Sequence, residues 1–237
     1  MNIQNMSLKQ RLLLIVVVEI LYMAGTRLAI HYLSAESFAS ELTRTALRIA
    51  TALIYWQLMK NVILSKTAAF DKTRIAVLIT GLLLFFSIPV LVGNYRLNPS
   101  LALLFAVTSI AVAIKEEFLF RGIMQNLLQT RFGALRAVLY TSVIFTAWHI
   151  GTWNPDVWTF GHIFLASLVL GLVYIRSGSI LAVIALHALY DALFSFTPLI
   201  NTPLNQNWGF APLILAVAAV YYWAKTGGMA RSTPSAQ

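Results

Sequence analysis

The sequence predicts an all-α polytopic membrane protein, a bundle of about eight transmembrane helices. Of its 237 residues, 59% are apolar and only 11% are charged, and the apolar residues fall in long runs. A soluble domain carries about 25% charged and about 45–50% apolar residues. Helices are the element to expect in the apolar runs, because an open strand edge leaves backbone groups unsatisfied in lipid.

Eight apolar segments approach the length of about 17–25 residues that a helix needs to span a bilayer. They cover residues 12–33, 43–64, 75–93, 101–120, 135–150, 160–175, 180–196 and 208–224. The first follows Lys9 and Arg11 as a signal peptide would, but Glu19 interrupts it, so we expect a retained helix. The fifth and sixth are short, and we expect them to be tilted or sheltered. We predict one transmembrane domain over 1–226 and a disordered polar tail over 227–237.

The basic residues predict the orientation of the chain. The net charge is +9, but the basic residues lie between apolar segments rather than in a patch, which argues against nucleic acid as a partner. With a cytoplasmic N-terminus, eleven of the 17 lysines and arginines lie in or beside cytoplasmic segments and two flank the other side. We therefore expect both termini in the cytoplasm, with the protein in the plasma (inner) membrane. The absence of cysteine excludes disulfides and a cysteine nucleophile.

Two adjacent acids interrupt the fourth segment, in the sequence AVAIKEEFLFRGIMQ. Charged groups at bilayer depth usually serve function or pair with each other. Glu117 and Arg121 are four residues apart and can form an ion pair on one helix face. Glu116 points about 100° away and is not committed to Arg121, so it can act as a general base or acid. These residues alone leave catalysis and a buried structural salt bridge open.

Two histidines occur on later apolar segments. His149 ends the fifth segment, one turn after Phe145, and His187 lies four residues before Asp191 on the seventh, so that this imidazole and carboxylate share a face. A carboxylate that fixes an imidazole tautomer recurs in metal and acid–base sites, although a single histidine in an apolar helix is more often a hydrogen-bonded core residue. If the fourth, fifth and seventh segments pack together, their polar faces meet.

In this order, the polar residues resemble the three motifs of the CAAX prenyl protease and bacteriocin-processing family (CPBP, or Abi) of intramembrane proteases, which includes the type II CAAX endopeptidases. The matching patterns are Glu116-Glu117-x-x-x-Arg121, Phe145-x-x-x-His149 and His187-x-x-x-Asp191. The motif-bearing core covers 101–196. The resemblance implies a multi-helix membrane endopeptidase with a water-filled site inside the bilayer, which hydrolyses a peptide bond of a membrane-associated or lipidated protein or peptide.

The resemblance also implies roles for these residues. Glu116 and His149 would activate the attacking water. The family has been described both as metalloproteases and as glutamate-dependent proteases, and the sequence leaves this open. If a metal is bound, we expect Zn²⁺ or another divalent cation on Glu116, His149 and His187, because such side chains suit a catalytic ion with an open position.

The remaining motif residues are expected to support the reaction. By the resemblance, Glu117 and Arg121 brace the site or position substrate, while His187 and Asp191 stabilise the oxyanion or help to hold a metal. Asp191 stands where the best-known family members carry asparagine. An ionised carboxylate cannot donate a hydrogen bond, so an oxyanion role requires Asp191 to be protonated, and otherwise it ligates a cation.

Two other functions stay open at this point. A non-catalytic immunity or scaffold protein would keep the same residues as a buried polar network. A small transporter would use the acidic doublet as a proton relay, but it would be expected to contain inverted repeats, and we find none in the sequence. The substrate is also open, since prenylated proteins, bacteriocin precursors and other membrane peptides all suit the resemblance.

The depths of the motif residues pose a geometric question. At about 1.5 Å per residue, Glu116 lies roughly 22 Å inward if its helix enters at Leu101. On an antiparallel helix, His149 would lie about as far from the opposite face, which places the two at different levels. The difference shrinks if the stretch Gly122–Arg136 projects into the cytoplasm and the fifth helix enters near Val138.

Polar residues outside the motifs have simpler explanations. Glu19, Arg27 and Arg48 are expected to pair across helices or to reach the membrane interface. His162 follows a loop and is expected at the interface.

Overall fold

The computed structural model describes residues 6–35, 37–64, 99–150, 157–196 and 210–226, and all elements in these ranges are helical. We number the α-helices in chain order: α1 Leu8–Leu33, α2 Phe38–Ile63, α3 Pro99–Glu117, α4 Asn126–Phe132, α5 Ala134–Trp148, α6 Val157–Ser177, α7 Ile180–Phe196 and α8 Phe210–Thr226. Between α3 and α4 lies a π-helical segment, Phe118–Gln125, called the π segment below. The predicted span 75–93 and the predicted tail 227–237 lie outside the described residues.

The all-α prediction is confirmed, whereas eight spans are not. Among the described helices, α1 and residues Thr159–Ser177 of α6 are long and apolar enough to cross a membrane. The helical stretches Ala134–Trp148 and Ile180–Ala192 are apolar but shorter.

Helices α1 and α2 form an antiparallel hairpin. Ser7 caps α1 in a capping box with Gln10, which satisfies backbone N–H groups of the first turn. The Ser37 side chain accepts the N–H of Ser40 and so caps α2. Arg11, near the start of α1, donates to the Leu58 carbonyl near the end of α2 at 3.1 Å. The beginning of the first helix therefore lies beside the end of the second.

Helical structure continues beyond the end of α3 at Glu117. The prediction placed its end near residue 120, but the chain continues through the π segment and α4 to Phe132. Gly133 stops it with a φ of +80°, a backbone conformation that glycine adopts without a side-chain clash. Asn126 anchors the extension by donating to the Val62 carbonyl and to the Tyr174 hydroxyl, both at 2.9 Å.

The core forms where these helices meet. Helix α3 packs most extensively against α7 and also against α2, while α5 packs against α6. Tyr55, Phe120 and Tyr174 are completely buried in this core. The contact between α3 and α7 brings together the two helices that carry the acidic doublet and the second predicted histidine.

Candidate active site

The imidazole of His187 lies among three carboxylates from two helices. Its Nδ1 is 2.6 Å from Oε1 of Glu117. Its Nε2 is 3.4 Å from Oδ2 of Asp191 and 3.9 Å from Oε2 of Glu116. Two of the predicted motifs, on α3 and α7, therefore meet at one imidazole.

The position of each carboxylate decides what it can do. Oε1 of Glu117 accepts hydrogen bonds from both Arg121 and His187, so His187 donates through Nδ1. The Nε2 edge then faces Glu116 and Asp191. The exposed fraction of the side chain rises from 0% at Glu117 to 8% at His187, 14% at Glu116 and 31% at Asp191. The site therefore opens on the side of Glu116 and Asp191, while Glu117 forms its buried floor.

Arg121 holds this floor in place. Its guanidinium donates to Glu117 at 3.0 Å and reaches across to α6, where it donates to the Ser167 carbonyl at 3.1 Å and the Ser167 hydroxyl at 2.8 Å. It also lies over the Phe145 ring, 4.8 Å from the centroid. The predicted ion pair between Glu117 and Arg121 is confirmed. Because Arg121 and His187 both donate to Oε1 of Glu117, this buried carboxylate keeps one orientation.

Phe145 brings the third motif to the site. The Phe145 ring centroid is 4.8 Å from that of His149 and 6.3 Å from that of His187. Nδ1 of His149 lies 2.8 Å from the Phe145 carbonyl oxygen. In the neutral imidazole this hydrogen bond places the lone pair on Nε2, the nitrogen that can accept a proton.

The question of depth is answered by the length of the π segment and α4. The chain runs from Glu117 to Phe132 before the turn at Gly133, and α5 returns over a similar number of residues to Trp148. His149 therefore comes back to the level of the acidic doublet. Ring contacts of Phe120 with Phe145 at 4.8 Å and with Trp148 at 6.4 Å fix this register.

The region that carries these residues matches a known protein family. Residues 98–193 match the family model described as type II CAAX prenyl endopeptidase Rce1-like. Over this range the chain is similar to that family, and residues 98–193 are called the Rce1-like core below. This confirms the resemblance inferred from the three motifs, and the matched range contains all six candidate residues. No curated protein and no solved structure matches the chain.

A metal site would need donor atoms that converge on one point of the Rce1-like core. In residues 99–150 and 157–196, as elsewhere in the described chain, no three histidine, aspartate or glutamate side chains converge closely enough to hold an ion. Nδ1 of His149 and Nδ1 of His187 are each engaged by an oxygen acceptor within the protein. In this arrangement Glu116, His149 and His187 do not form a ligand set, and metal binding stays a prediction.

Several residues around the Rce1-like site did not stand out in the sequence. Ser167 on α6 accepts a hydrogen bond from Arg121, 46 residues away in sequence. Gln125 donates to the carbonyl of Gly171, also on α6, at 3.0 Å. Neither residue belongs to a motif, since serine and glutamine are common on helices. The π segment was also missed, because apolar periodicity does not separate it from an α-helix. π-Helical turns occur frequently at functional sites.

Polar residues outside the motifs only partly follow the expectation from the sequence. His162, expected at the interface, is buried, and its Nε2 contacts the hydroxyl of Tyr190 on α7. Glu19, expected to pair across helices, does so with Lys115 on α3 at 2.7 Å. Arg48 pairs instead within α2, with Glu41 at 2.7 Å.

An apolar groove between α2 and α3 is separate from the site. Its volume is about 450 Å³, and it is lined by Ile49, Ala52, Leu53, Trp56, Ala111, Ile114, Phe118 and Leu181. Ile114 and Phe118 are four residues apart and share a face of the helix, whereas Glu116, halfway between them, points to the opposite face. The groove is therefore not the chamber in which the carboxylates of the Rce1-like core meet.

Proposed function

We propose that this chain is an intramembrane endopeptidase of the CAAX type in the plasma (inner) membrane. It hydrolyses a peptide bond of a membrane-associated or lipidated protein or peptide. One observation carries the proposal: a histidine in an apolar helix contacts three carboxylates from two helices, inside a region that matches an endopeptidase family. Placing several ionisable groups in apolar surroundings costs free energy, and such groups usually mark a functional site.

Glu116 is the general base of the proposed reaction. It is the partly exposed carboxylate of the doublet, and its neighbour Glu117 is already engaged by Arg121. Water held between Glu116 and Nε2 of His149 loses a proton to the carboxylate as its oxygen attacks the scissile carbonyl carbon. The carbonyl π electrons move to the oxygen and form a tetrahedral oxyanion.

His187 and Asp191 stabilise the oxyanion. With Nδ1 donating to Glu117, the Nε2 of a cationic His187 carries a proton that it can donate to the oxyanion. A protonated Asp191, 3.4 Å from this nitrogen, adds a second donor. When the intermediate collapses, the carbon–nitrogen bond breaks and Glu116 returns its proton to the leaving amine.

Glu117 and Arg121 act on the reaction through His187. The hydrogen bond from Nδ1 of His187 to Glu117 fixes the ring, and the three contacts of Arg121 fix Glu117. This is the arrangement by which a buried acid orients a histidine for chemistry. All of these steps use side chains of the chain itself.

The proposal is tested by cleavage of membrane peptides with and without a lipid on a cysteine near the C-terminus. Purified wild-type protein and Glu116→Gln are compared, each with and without a chelator. Loss of a general base is expected to lower kcat by at least about 10². The control is Glu41→Gln, which removes another buried carboxylate but lies outside the Rce1-like core.

Each outcome has a distinct meaning. A folded Glu116→Gln protein that keeps the wild-type rate contradicts the proposal. A chelator-sensitive wild-type rate that a divalent cation restores indicates the metal-dependent form of the same activity. A protein that cleaves no peptide, and whose cellular phenotype survives Glu116→Gln, favours the non-catalytic immunity or scaffold function.

A further inference from the structure

A buried lysine directly precedes the proposed general base. Lys115 is 1% exposed, and its Nζ lies 2.7 Å from Oε1 and 2.9 Å from Oε2 of Glu19 on α1. The same Glu19 carboxylate accepts a hydrogen bond from the Tyr55 hydroxyl on α2. The ammonium also lies over the Tyr22 ring, 4.2 Å from the centroid, and 5.4 Å from the Trp148 ring. Four helices thus enclose one ammonium group.

The two cations next to the acidic doublet are each paired with a different carboxylate. Arg121 is paired with Glu117, and Lys115 is paired with Glu19. Among the described residues, no lysine or arginine lies within salt-bridge distance of Glu116, whose ion-pair contact is His187 at 3.9 Å. Each permanent cation next to the doublet therefore has a carboxylate of its own, and Glu116 faces the imidazole.

The lysine has a short route to the base. Its side chain has four flexible methylene groups, and its Cα is the immediate neighbour of that of Glu116. A buried ammonium that loses its partner is strongly destabilised and moves to another carboxylate when one is within reach. A base that is salt-bridged to an ammonium is a weaker proton acceptor than one that faces water and imidazole.

We propose that Glu19 is a positioning residue that holds the Lys115 ammonium away from Glu116 and so keeps Glu116 available as the general base. This inference rests on the proposed function. It gives α1, which lies outside the Rce1-like match, a defined part in the reaction. It also explains why a carboxylate 96 residues away in sequence is buried against the lysine.

The variant that tests this is Glu19→Gln, which keeps the shape of the side chain and an acceptor for Tyr55 but removes the charge. Its kcat is expected to fall about a hundredfold, the lower end of the range for a general base, while KM changes by less than about threefold. In Glu19→Gln with Lys115→Met, the ammonium is absent and kcat is expected to return to within about threefold of wild type. If Glu19 had a purely structural role, removing the lysine from Glu19→Gln would not restore kcat.

Controls separate chemistry from folding. Glu19→Asp keeps the charge and is expected to keep most of the rate. Glu41→Gln removes a carboxylate that is equally buried, paired with Arg44 and Arg48 on α2, and is expected to lower thermal stability with little change in kcat. If Glu19→Gln does not fold, kcat of Glu19→Gln with Lys115→Met tests the proposal, because this double variant has no ammonium that could pair with Glu116. A folded double variant with the low kcat expected for Glu19→Gln overturns the proposal.

A structure of Glu19→Gln provides a test that does not depend on activity. Nζ of Lys115 is expected within about 4 Å of a Glu116 oxygen, the usual limit for an ion pair. An ammonium that stays beside the introduced amide overturns the inference, even if the wild-type protein is an active protease. If the ammonium moves but the wild-type protein cleaves nothing, the positioning is upheld and the proposed function fails.

Discussion

At the residue scale, two neighbouring glutamates have different surroundings and therefore different chemistry. Glu117 is completely buried between Arg121 and His187, whereas Glu116 is partly exposed and faces the other edge of the same imidazole. The spacing of four residues was enough to predict the Glu117–Arg121 pair. The contact of Glu19 with Lys115 could not be assigned in this way, because its two partners are 96 residues apart and no local rule joins them.

Asp191 allows a sharp test at this scale. Its Oδ2 lies 3.4 Å from Nε2 of His187. If Asp191 acts as a hydrogen-bond donor, the amide of Asp191→Asn replaces it, and kcat is expected to stay within about tenfold of wild type. Asp191→Ala removes the donor and is expected to lower kcat by about 10²–10³.

The measurement is kcat for both variants, with thermal unfolding as the check on folding. If Asp191→Asn were as slow as Asp191→Ala, the negative charge would be the essential property. Asp191 would then serve to hold a cation or a cationic His187 rather than to donate a hydrogen bond.

At the scale of elements, the decisive feature is the continuation of α3 through the π segment into α4. The sequence predicts a fourth span over about 101–120. The extension carries Arg121, Gln125 and Asn126, whose side chains form hydrogen bonds with residues of α6. These hydrogen bonds hold the extension in the bundle, as apolar side chains hold a regular membrane span. Polar anchoring of this kind depends on residues that are distant in sequence, so helical periodicity did not indicate it.

The π segment is expected to depend on the fork geometry of Arg121. A lysine ammonium cannot bridge Glu117 on one side and Ser167 on the other in the way a planar guanidinium does. Arg121→Met removes both the fork and the charge, and it is therefore expected to lower the free energy of unfolding by about 3–5 kcal/mol, as for a buried ion pair that loses one partner. Ser167→Ala removes one acceptor and is expected to cost about 1–3 kcal/mol.

Equilibrium unfolding in detergent measures both values. The ranking matters more than the magnitudes, because both variants alter the same contact between the π segment and α6. Equal losses would indicate that the bonds to Ser167, rather than the pair with Glu117, carry most of the stabilisation.

At the scale of the whole molecule, the packing of α2 and α3 fixes the path of the chain. Glu41, near the start of α2, accepts a hydrogen bond from Thr108 of α3 at 2.7 Å, and the Val62 carbonyl at its end accepts one from Asn126. The two helices are therefore parallel, and Leu64 and Pro99 lie at opposite ends of the bundle. The predicted span 75–93 has the length needed to join them. The apolar segments of the sequence predict such a series of spans, but they do not indicate which helices pack side by side.

This path, together with the basic residues, predicts which positions share a side of the membrane. The chain contains no cysteine, so single cysteines can be introduced without background. Ser7→Cys and Thr130→Cys are expected to react with a membrane-impermeant maleimide only in inverted vesicles, and Ala35→Cys only in right-side-out vesicles. All three positions are exposed. The physical reason is the excess of lysine and arginine in the segments predicted to be cytoplasmic.

The pattern of labelling separates orientation from fold. If all three cysteines label from the reverse side, the orientation inferred from charge is wrong, but the arrangement of helices stands. If Ser7→Cys and Thr130→Cys label from opposite sides, the parallel packing of α2 and α3 is contradicted, because an odd number of crossings would then separate these positions. The carboxylates of α3 would in that case approach the imidazole of α7 from a different direction, and the proposed division of roles between Glu116 and Glu117 would lose its structural basis.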